Sequence, residues 1–262
     1  MIRSLHTAAT GMKAQQTNMD VSANNIANSS TTGFKKSRAE FEDLMYQTNL
    51  EPGAATGANT VSPTGVQVGL GVKTAAVAKD FEQGSTKITN NPFDIEIRGA
   101  GFFPVQTPAG QIAYTRDGSF KKGPDGRIQD KNGNVLQPEI NIPQSATGVE
   151  ISGDGQVQII TDGALNQPQS VGQIQLVGFV NPAGLKSVGG NLFMPTASSG
   201  LPQQAIPGQA GLGSLAQGQL ETSNVNIVDE MVGMITTQRA YETNSKMIQA
   251  SDQMLQAINN LR

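Results

Sequence analysis

The sequence predicts an α+β chain: long N- and C-terminal helices pair as a helical domain, and a central all-β domain is inserted between them. Three observations predict it. All 13 prolines fall between Pro52 and Pro207, so both ends lack the residue that costs about 3 kcal/mol inside a helix. Both ends carry apolar residues at seven-residue spacing. The middle holds four Asp-Gly pairs and one Asn-Gly pair, dipeptides that tolerate positive φ and favour hairpin turns.

The first helix carries Leu5, Met12, Met19 and Ile26 at intervals of seven, with Ile2, Ala9, Gln16 and Ala23 on the same face. The last helix repeats the spacing with Ile227, Met234, Tyr241, Ile248 and Leu255, widened by Met231, Met247, Met254, Ile258 and Leu261. Asn226 stands where an N-cap belongs, and Asp229 and Glu230 fall in the first turn, where the helix dipole favours acids. Two amphipathic helices covering an ordinary core is one reading. A helical pair that packs into a larger assembly is the other, and two features favour it. The outward side of the first helix is uncharged, with Thr7, Thr10, Gln15, Thr17, Ser22, Asn24 and Asn25; only Arg3, Lys13 and Asp20 bear charge before residue 31. The first 30 residues also hold only six apolar residues on or near the seam (Ile2, Leu5, Met12, Met19, Val21 and Ile26). These are too few to offset the entropy of ordering the segment, so its order must come from neighbours.

From about residue 66 to 221 the chain reads as β. Asp117–Gly118, Asp125–Gly126, Asn132–Gly133, Asp154–Gly155 and Asp162–Gly163 read as turns. Between them run short alternations: Ile95 and Ile97 about Glu96, Val149 and Ile151 about Glu150, Val157 and Ile159 about Gln158, Ile174 and Leu176 about Gln175. An antiparallel sandwich or barrel follows. Residues 47–65 are polar and rich in Gly and Pro, and read as a long loop or extended arm.

The composition excludes more chemistry than it offers. The chain has 262 residues, 15% of them charged, and a formal net charge of -3, which argues against a broad nucleic-acid surface. It has no Cys, hence no disulfide, thiolate metal site or thiol nucleophile. Its single His6 sits on the first helix without a nearby acid and reads as a helix-surface residue. Gly99-Ala100-Gly101 lacks the third glycine of a dinucleotide loop. Asp130, Asn132 and Asn134 lack the spacing of a calcium loop and read as a hairpin. Asp94 and Glu96 read as solvated strand acids. The sequence thus predicts no catalytic, cofactor-binding or metal-ligating residue. No apolar run has the length of a secretory signal or a membrane span, so no cleaved signal peptide and no direct membrane span are expected.

Three motifs carry a resemblance. Asp20 to Lys35 contains Ala23-Asn24-Asn25-Ile26-Ala27-Asn28 and Thr32-Gly33-Phe34-Lys35. The middle contains Gly99-Ala100-Gly101-Phe102-Phe103 and Tyr114-Thr115-Arg116-Asp117-Gly118-Ser119-Phe120. The C-terminal part contains Leu220-Glu221-Thr222-Ser223-Asn224-Val225-Asn226 and Gln238-Arg239-Ala240-Tyr241-Glu242-Thr243-Asn244. In this order they resemble the flagellar rod and hook protein family over almost the whole chain. The opening Met1-Ile2-Arg3-Ser4-Leu5, the stretch Ala14 to Asn18 and residues 38–47 are most similar to its distal rod members. A proximal rod or hook-like paralogue is the alternative within the family, and a secreted binding module the alternative outside it.

The resemblance implies three parts. Residues 1–34 and 222–262 form an inner, channel-lining helical domain, 35–72 a connecting segment with a long arm, and 73–221 an outer β domain. It implies a non-enzymatic, cofactor-free subunit of the basal body, exported by the flagellar type III apparatus. The subunit polymerises with itself into a rigid hollow shaft that crosses the periplasm, transmits torque and conducts exported proteins. Its partners are proximal rod proteins, the hook protein and the outer rings. Leu5, Met12, Met19 and Ile26, with Ile227, Met231, Met234, Tyr241, Ile248 and Leu255, are the expected assembly seams. Tyr46, Pro52, Gly53 and Pro63 belong to the expected inter-subunit brace.

Overall fold

Freedom from proline before Pro52 and after Pro207 is expressed as two long helices, α1 (Ile2–Ala27) and α2 (Ile227–Asn260). The computed structural model describes residues 2–53, 55–57, 60–161 and 168–260. The chain folds into two units: Met1–Ala27 with Ser37–Lys79 and Asn226–Arg262, and Asn28–Lys36 with Asp80–Val225.

The first unit joins the helices to β1 (Ser37–Asp43), β2 (Tyr46–Leu50), β3 (Ala55–Gly57), β4 (Thr60–Val61), β5 (Val66–Gly69) and β6 (Val72–Lys79). These strands pair in nested order, β1 with β6, β2 with β5 and β3 with β4, all antiparallel. The stretch read as a polar loop or arm is therefore the outer part of one long two-stranded ribbon; residues 54, 58 and 59 lie outside the described residues. The ribbon base lies against α1. There Gly71, at φ +126, runs so close to Thr10 that a Cβ would stand 2.3 Å from its hydroxyl, so only glycine fits. Asn226 caps α2, its Oδ1 accepting the Val228 N–H at 3.1 Å.

The second unit contains β7 (Thr86–Ile88), β8 (Ile95–Arg98), β9 (Phe103–Gln106), β10 (Ile112–Thr115), β11 (Phe120–Lys122), β12 (Ile128–Asp130), β13 (Val135–Leu136), β14 (Ala146–Ile151), β15 (Gln156–Thr161), β16 (Gln169–Gln173), β17 (Leu176–Gly178), β18 (Lys186–Gly189), β19 (Leu192–Met194), β20 (Gln203–Ala205), β21 (Ser214–Gln217) and β22 (Gln219–Glu221). Its largest sheet runs β11-β12-β13-β9-β10-β19-β18, and β14-β15-β16 form a second. Ile95, Ile97, Phe103, Phe120, Ile128, Leu136, Ile174 and Leu176 are buried in one apolar core. Phe102, Tyr114, Val177 and Phe193 make a neighbouring cluster, joined by edge-to-face rings such as Phe81 on Phe102 at 5.4 Å.

The α+β expectation of a domain built from the two helices alone, with every strand in a separate central insertion, does not hold. The helices touch each other, but six strands share their unit. The reason is the composition of the helix faces. Among the described residues of α1, Ala8 and Ala14 are the buried apolar ones, too little area to close a two-helix core, and the ribbon packs on the same helix.

Of the five turn dipeptides, Asp125–Gly126, Asn132–Gly133 and Asp154–Gly155 sit in hairpins with glycine φ of 79°, 81° and 84°. Asp117–Gly118 is not a hairpin, since β10 and β11 do not pair. Gly118 instead passes so close to the Ile95 carbonyl that any Cβ would collide with it, and its own carbonyl accepts the Ile95 N–H at 3.0 Å. Asp162–Gly163 lies outside the described residues.

Candidate functional site

The helix seam is small and polar. Asn18 Nδ2 donates to Thr237 Oγ1 at 3.0 Å, and Gly11 lies against Asn244, so the helices run antiparallel. Ser22, Asn25, Thr237 and Ser251 are buried. The larger apolar residues flank this line. Leu5, Met12, Met19, Ile26, Met234, Ile248 and Leu255 are half-buried, while Ile227, Met231 and Tyr241 are exposed. A strict seven-residue repeat drifts about 20° per heptad around a straight helix, so it cannot stay over one contact line. The result is two open apolar patches on α2: Val228, Met231, Val232 and Ile235 share one side near its start, and Met247, Met254 and Ile258 lie further on, about a quarter-turn around the helix. The side chains of Ile2 and Leu261 lie outside the described residues.

The Asn-rich motif makes a specific joint. Asn25 is 1% exposed; its Nδ2 donates to the Ser37 carbonyl at 2.8 Å and its Oδ1 accepts the Ser37 N–H at 2.9 Å. Its amide thus does for Ser37 what a neighbouring strand would do. Ala23, Asn24 and Ala27 are exposed. The Asn28 carbonyl accepts the Thr31 N–H as the chain leaves α1. The Thr32 carbonyl accepts from Asn191 Nδ2 at 2.9 Å, and Phe34 is half-buried. Gly33, at φ +66, donates its N–H to the Glu221 carbonyl, and a Cβ there would stand 2.7 Å from the Asp117 nitrogen.

Within the second unit this segment leads into a buried clasp. Lys35 Nζ donates to Glu221 Oε1 and to the Glu82 carbonyl, both at 2.6 Å. Arg116 Nε donates to Glu221 Oε2 at 3.0 Å, and Gly84 N to Oε1 at 2.9 Å. Arg116 Nη1 donates to the carbonyls of Gly99 and Gly101. Lys35, Arg116 and Glu221 are at most 4% exposed. Burial holds the Lys35 ammonium below the usual lysine range; Glu221 draws it back up and Arg116 pushes it down. Next to the clasp, Asn224 accepts the Lys36 N–H at 2.8 Å. Sequence reasoning missed this cluster. Its available signal was that each of the three motifs carries one of these charges in a chain poor in them.

Two other sequence readings change. Asp94 and Glu96 are buried, not solvated: Glu96 Oε1 accepts from Thr86 Oγ1 at 2.7 Å, and Asp94 accepts from Asn91. Strand β8 pairs with β21, and Gln83 and Thr86 close over its polar side. Asn132 and Asn134 turn their amides toward Asp130 within the β12–β13 hairpin, where burial and Asp117 raise the Asp130 carboxyl above its usual range. Among the described residues, no three His, Asp or Glu side chains gather as metal ligands. No described helix is long and apolar enough to cross a membrane. An apolar cavity of about 350 Å³ opens beside Phe102, Phe179 and Leu212, without a titratable side chain on its wall.

Three family models match the chain. Residues 5–35 match "Flagella basal body rod protein", 96–159 "Flagellar hook protein FlgE/F/G D1 domain", and 216–261 "Flagellar basal body rod FlgEFG protein C-terminal". Lys35, Arg116 and Glu221 fall one in each. The "Flagellar basal-body rod protein FlgG" of Caulobacter vibrioides is 50% identical over 262 residues, covering all of both chains. The chain belongs to the flagellar basal-body rod protein family. The rod protein of the same name from Borreliella burgdorferi is 50% identical over 264 residues, and that of Bacillus subtilis 39% over 267. The "Flagellar hook-basal body complex protein FlhP" of Bacillus subtilis is 30% identical over 283 residues. For a rod protein, the open apolar patches of α2 become the natural place to look for contacts between copies.

Proposed function

We propose that this chain is a structural subunit of the flagellar distal rod, polymerising helically into a rigid hollow shaft that passes motor torque to the hook and conducts exported proteins. The observation that carries the reading is the pair of apolar patches on α2, left open in the single chain. Monomeric proteins seldom expose such patches, and further copies cover them at low cost. The full-length likeness to proteins named FlgG selects the distal rod among related assemblies.

In this reading Leu5, Met12, Met19 and Ile26, with Ile227, Met231, Met234, Tyr241, Ile248 and Leu255, are buried by neighbouring copies. Thr7 and Asn24, uncharged and exposed on α1, face the channel. The β1–β6 ribbon is the brace; Tyr46, Pro52 and Pro63 are exposed on it and Gly53 turns at φ +85. The shaft spans the periplasm, meets proximal rod proteins, the hook protein and the outer rings, and its subunits leave by type III export. The chain has no enzymatic role. Deleting its gene and imaging isolated basal bodies tests the assignment. Basal bodies truncated before the hook, restored by the intact gene, support it; complete hooks on normal rods refute it.

A further inference from the structure

Two surfaces of the first unit complement each other but lie too far apart on one chain to meet. The first is a groove of about 340 Å³ between α1 and β6. Ala14, Leu44 and Val72 form its apolar floor, and Lys13 and Lys73 stand at its rim. Lys73 bonds Glu42 at 3.0 Å, but both side chains are more than half exposed, so that pair is readily exchanged. The second surface is the start of α2. Val228, Met231 and Val232 share a face at i, i+3 and i+4 and are 67%, 53% and 56% exposed. Asp229 borders it beside Val232, while Glu230 falls on the far side of the helix.

Resting on the self-assembling subunit proposed above, we propose that the groove of one copy takes the first turns of α2 from a second copy. Val228 and Met231 fill the apolar floor, and Asp229 meets the basic rim of Lys13 and Lys73. The sizes agree, since the groove has room for two side chains of this kind. The charges agree, a basic rim against an acidic turn. The geometry excludes closure within one chain. Gly11, beside the groove, lies opposite Asn244, and the fourteen residues from Glu230 to Asn244 span about 21 Å of helix at 1.5 Å per residue. A contact between two different patches displaced along the same helix pair is heterologous. It leaves a free groove at one end and a free turn at the other, and so propagates as an open filament.

The cysteine-free sequence makes the contact directly testable. The full chain carrying both Lys13→Cys and Val228→Cys is polymerised at high concentration, then oxidised and run on a denaturing gel. A disulfide needs Cα atoms within about 7 Å, so only docked copies can link. The expected result is a ladder of dimers, trimers and longer products. Each single variant should remain monomeric, because the contact never brings two copies of one position together. Filaments without a ladder overturn the groove assignment while leaving self-assembly intact. Failure of the unsubstituted chain to polymerise removes self-assembly and this contact together. A charge exchange decides the point if the cysteines themselves block polymerisation. Lys13→Glu with Lys73→Glu should abolish filaments, and adding Asp229→Lys should restore them; absence of restoration overturns the contact.

Discussion

Replacing Glu221 by Gln removes the one anion of the clasp while keeping its shape. The carboxylate accepts from Lys35 Nζ, Arg116 Nε and Gly84 N, at 2.6, 3.0 and 2.9 Å. A glutamine oxygen can satisfy only part of this set, and its amide group turns donors toward donors. Two buried cations then face each other without a counter-charge. Breaking a buried pair by removing one partner costs about 3–5 kcal/mol. Lys35, already held below its ordinary range, can shed its proton and soften the loss, which places the expected destabilisation toward the lower end. The measurement is guanidinium unfolding of the full chain, followed by far-ultraviolet circular dichroism and by tyrosine emission, because the chain lacks Trp. Lys35→Met should cost less in the Glu221→Gln background than in the unsubstituted chain, the sign of direct coupling. A loss below about 1 kcal/mol, the size of an ordinary hydrogen bond, would refute the clasp as an energetic centre of the second unit.

Met234→Asp puts a charge on a half-buried seam position outside the second unit; it should block polymerisation while the second unit keeps its unfolding transition, as circular dichroism and sedimentation would show. Asn25→Ala leaves the Ser37 N–H and carbonyl without the amide and should cost about 1–3 kcal/mol, read as faster amide exchange at Ser37 and along β1. Deleting residues 47–65 should leave filaments able to form but curved, measured by electron microscopy; straight filaments of normal stiffness would remove the ribbon from the bracing role. Because Lys35 binds its proton less tightly when folded than unfolded, stability should rise with pH between its folded value and the ordinary 10.5. Lys35→Met should abolish that rise relative to the unsubstituted chain in pH-dependent melts.

The helices were legible because proline exclusion and seven-residue spacing survive in sequence, and Asn226 announced its own cap. Three of the turns were legible because Asp-Gly and Asn-Gly impose a positive φ locally. Gly118 used the same dipeptide for a different purpose, close approach to Ile95, which depends on a strand distant in sequence. The ribbon's strands before residue 66 were illegible because most of their described positions are exposed on both faces, so no period-two pattern forms. That also explains why the helices read as a domain of their own. The clasp was illegible for the opposite reason: lysine and glutamate are solvated almost everywhere, and only the fold shows that Lys35 and Glu221 meet across 186 positions. The small, polar seam of Gly11, Asn18 and Thr237 hid beside the larger Met and Leu residues that drew the eye.

Electron microscopy of the purified chain at high concentration tests the central claim most directly. A subunit of a stiff shaft should form straight hollow tubes, with the open patches of α2 no longer accessible to solvent. Curved tubes would assign the chain to a bending, hook-like assembly. A chain that stays monomeric at every concentration would contradict the account.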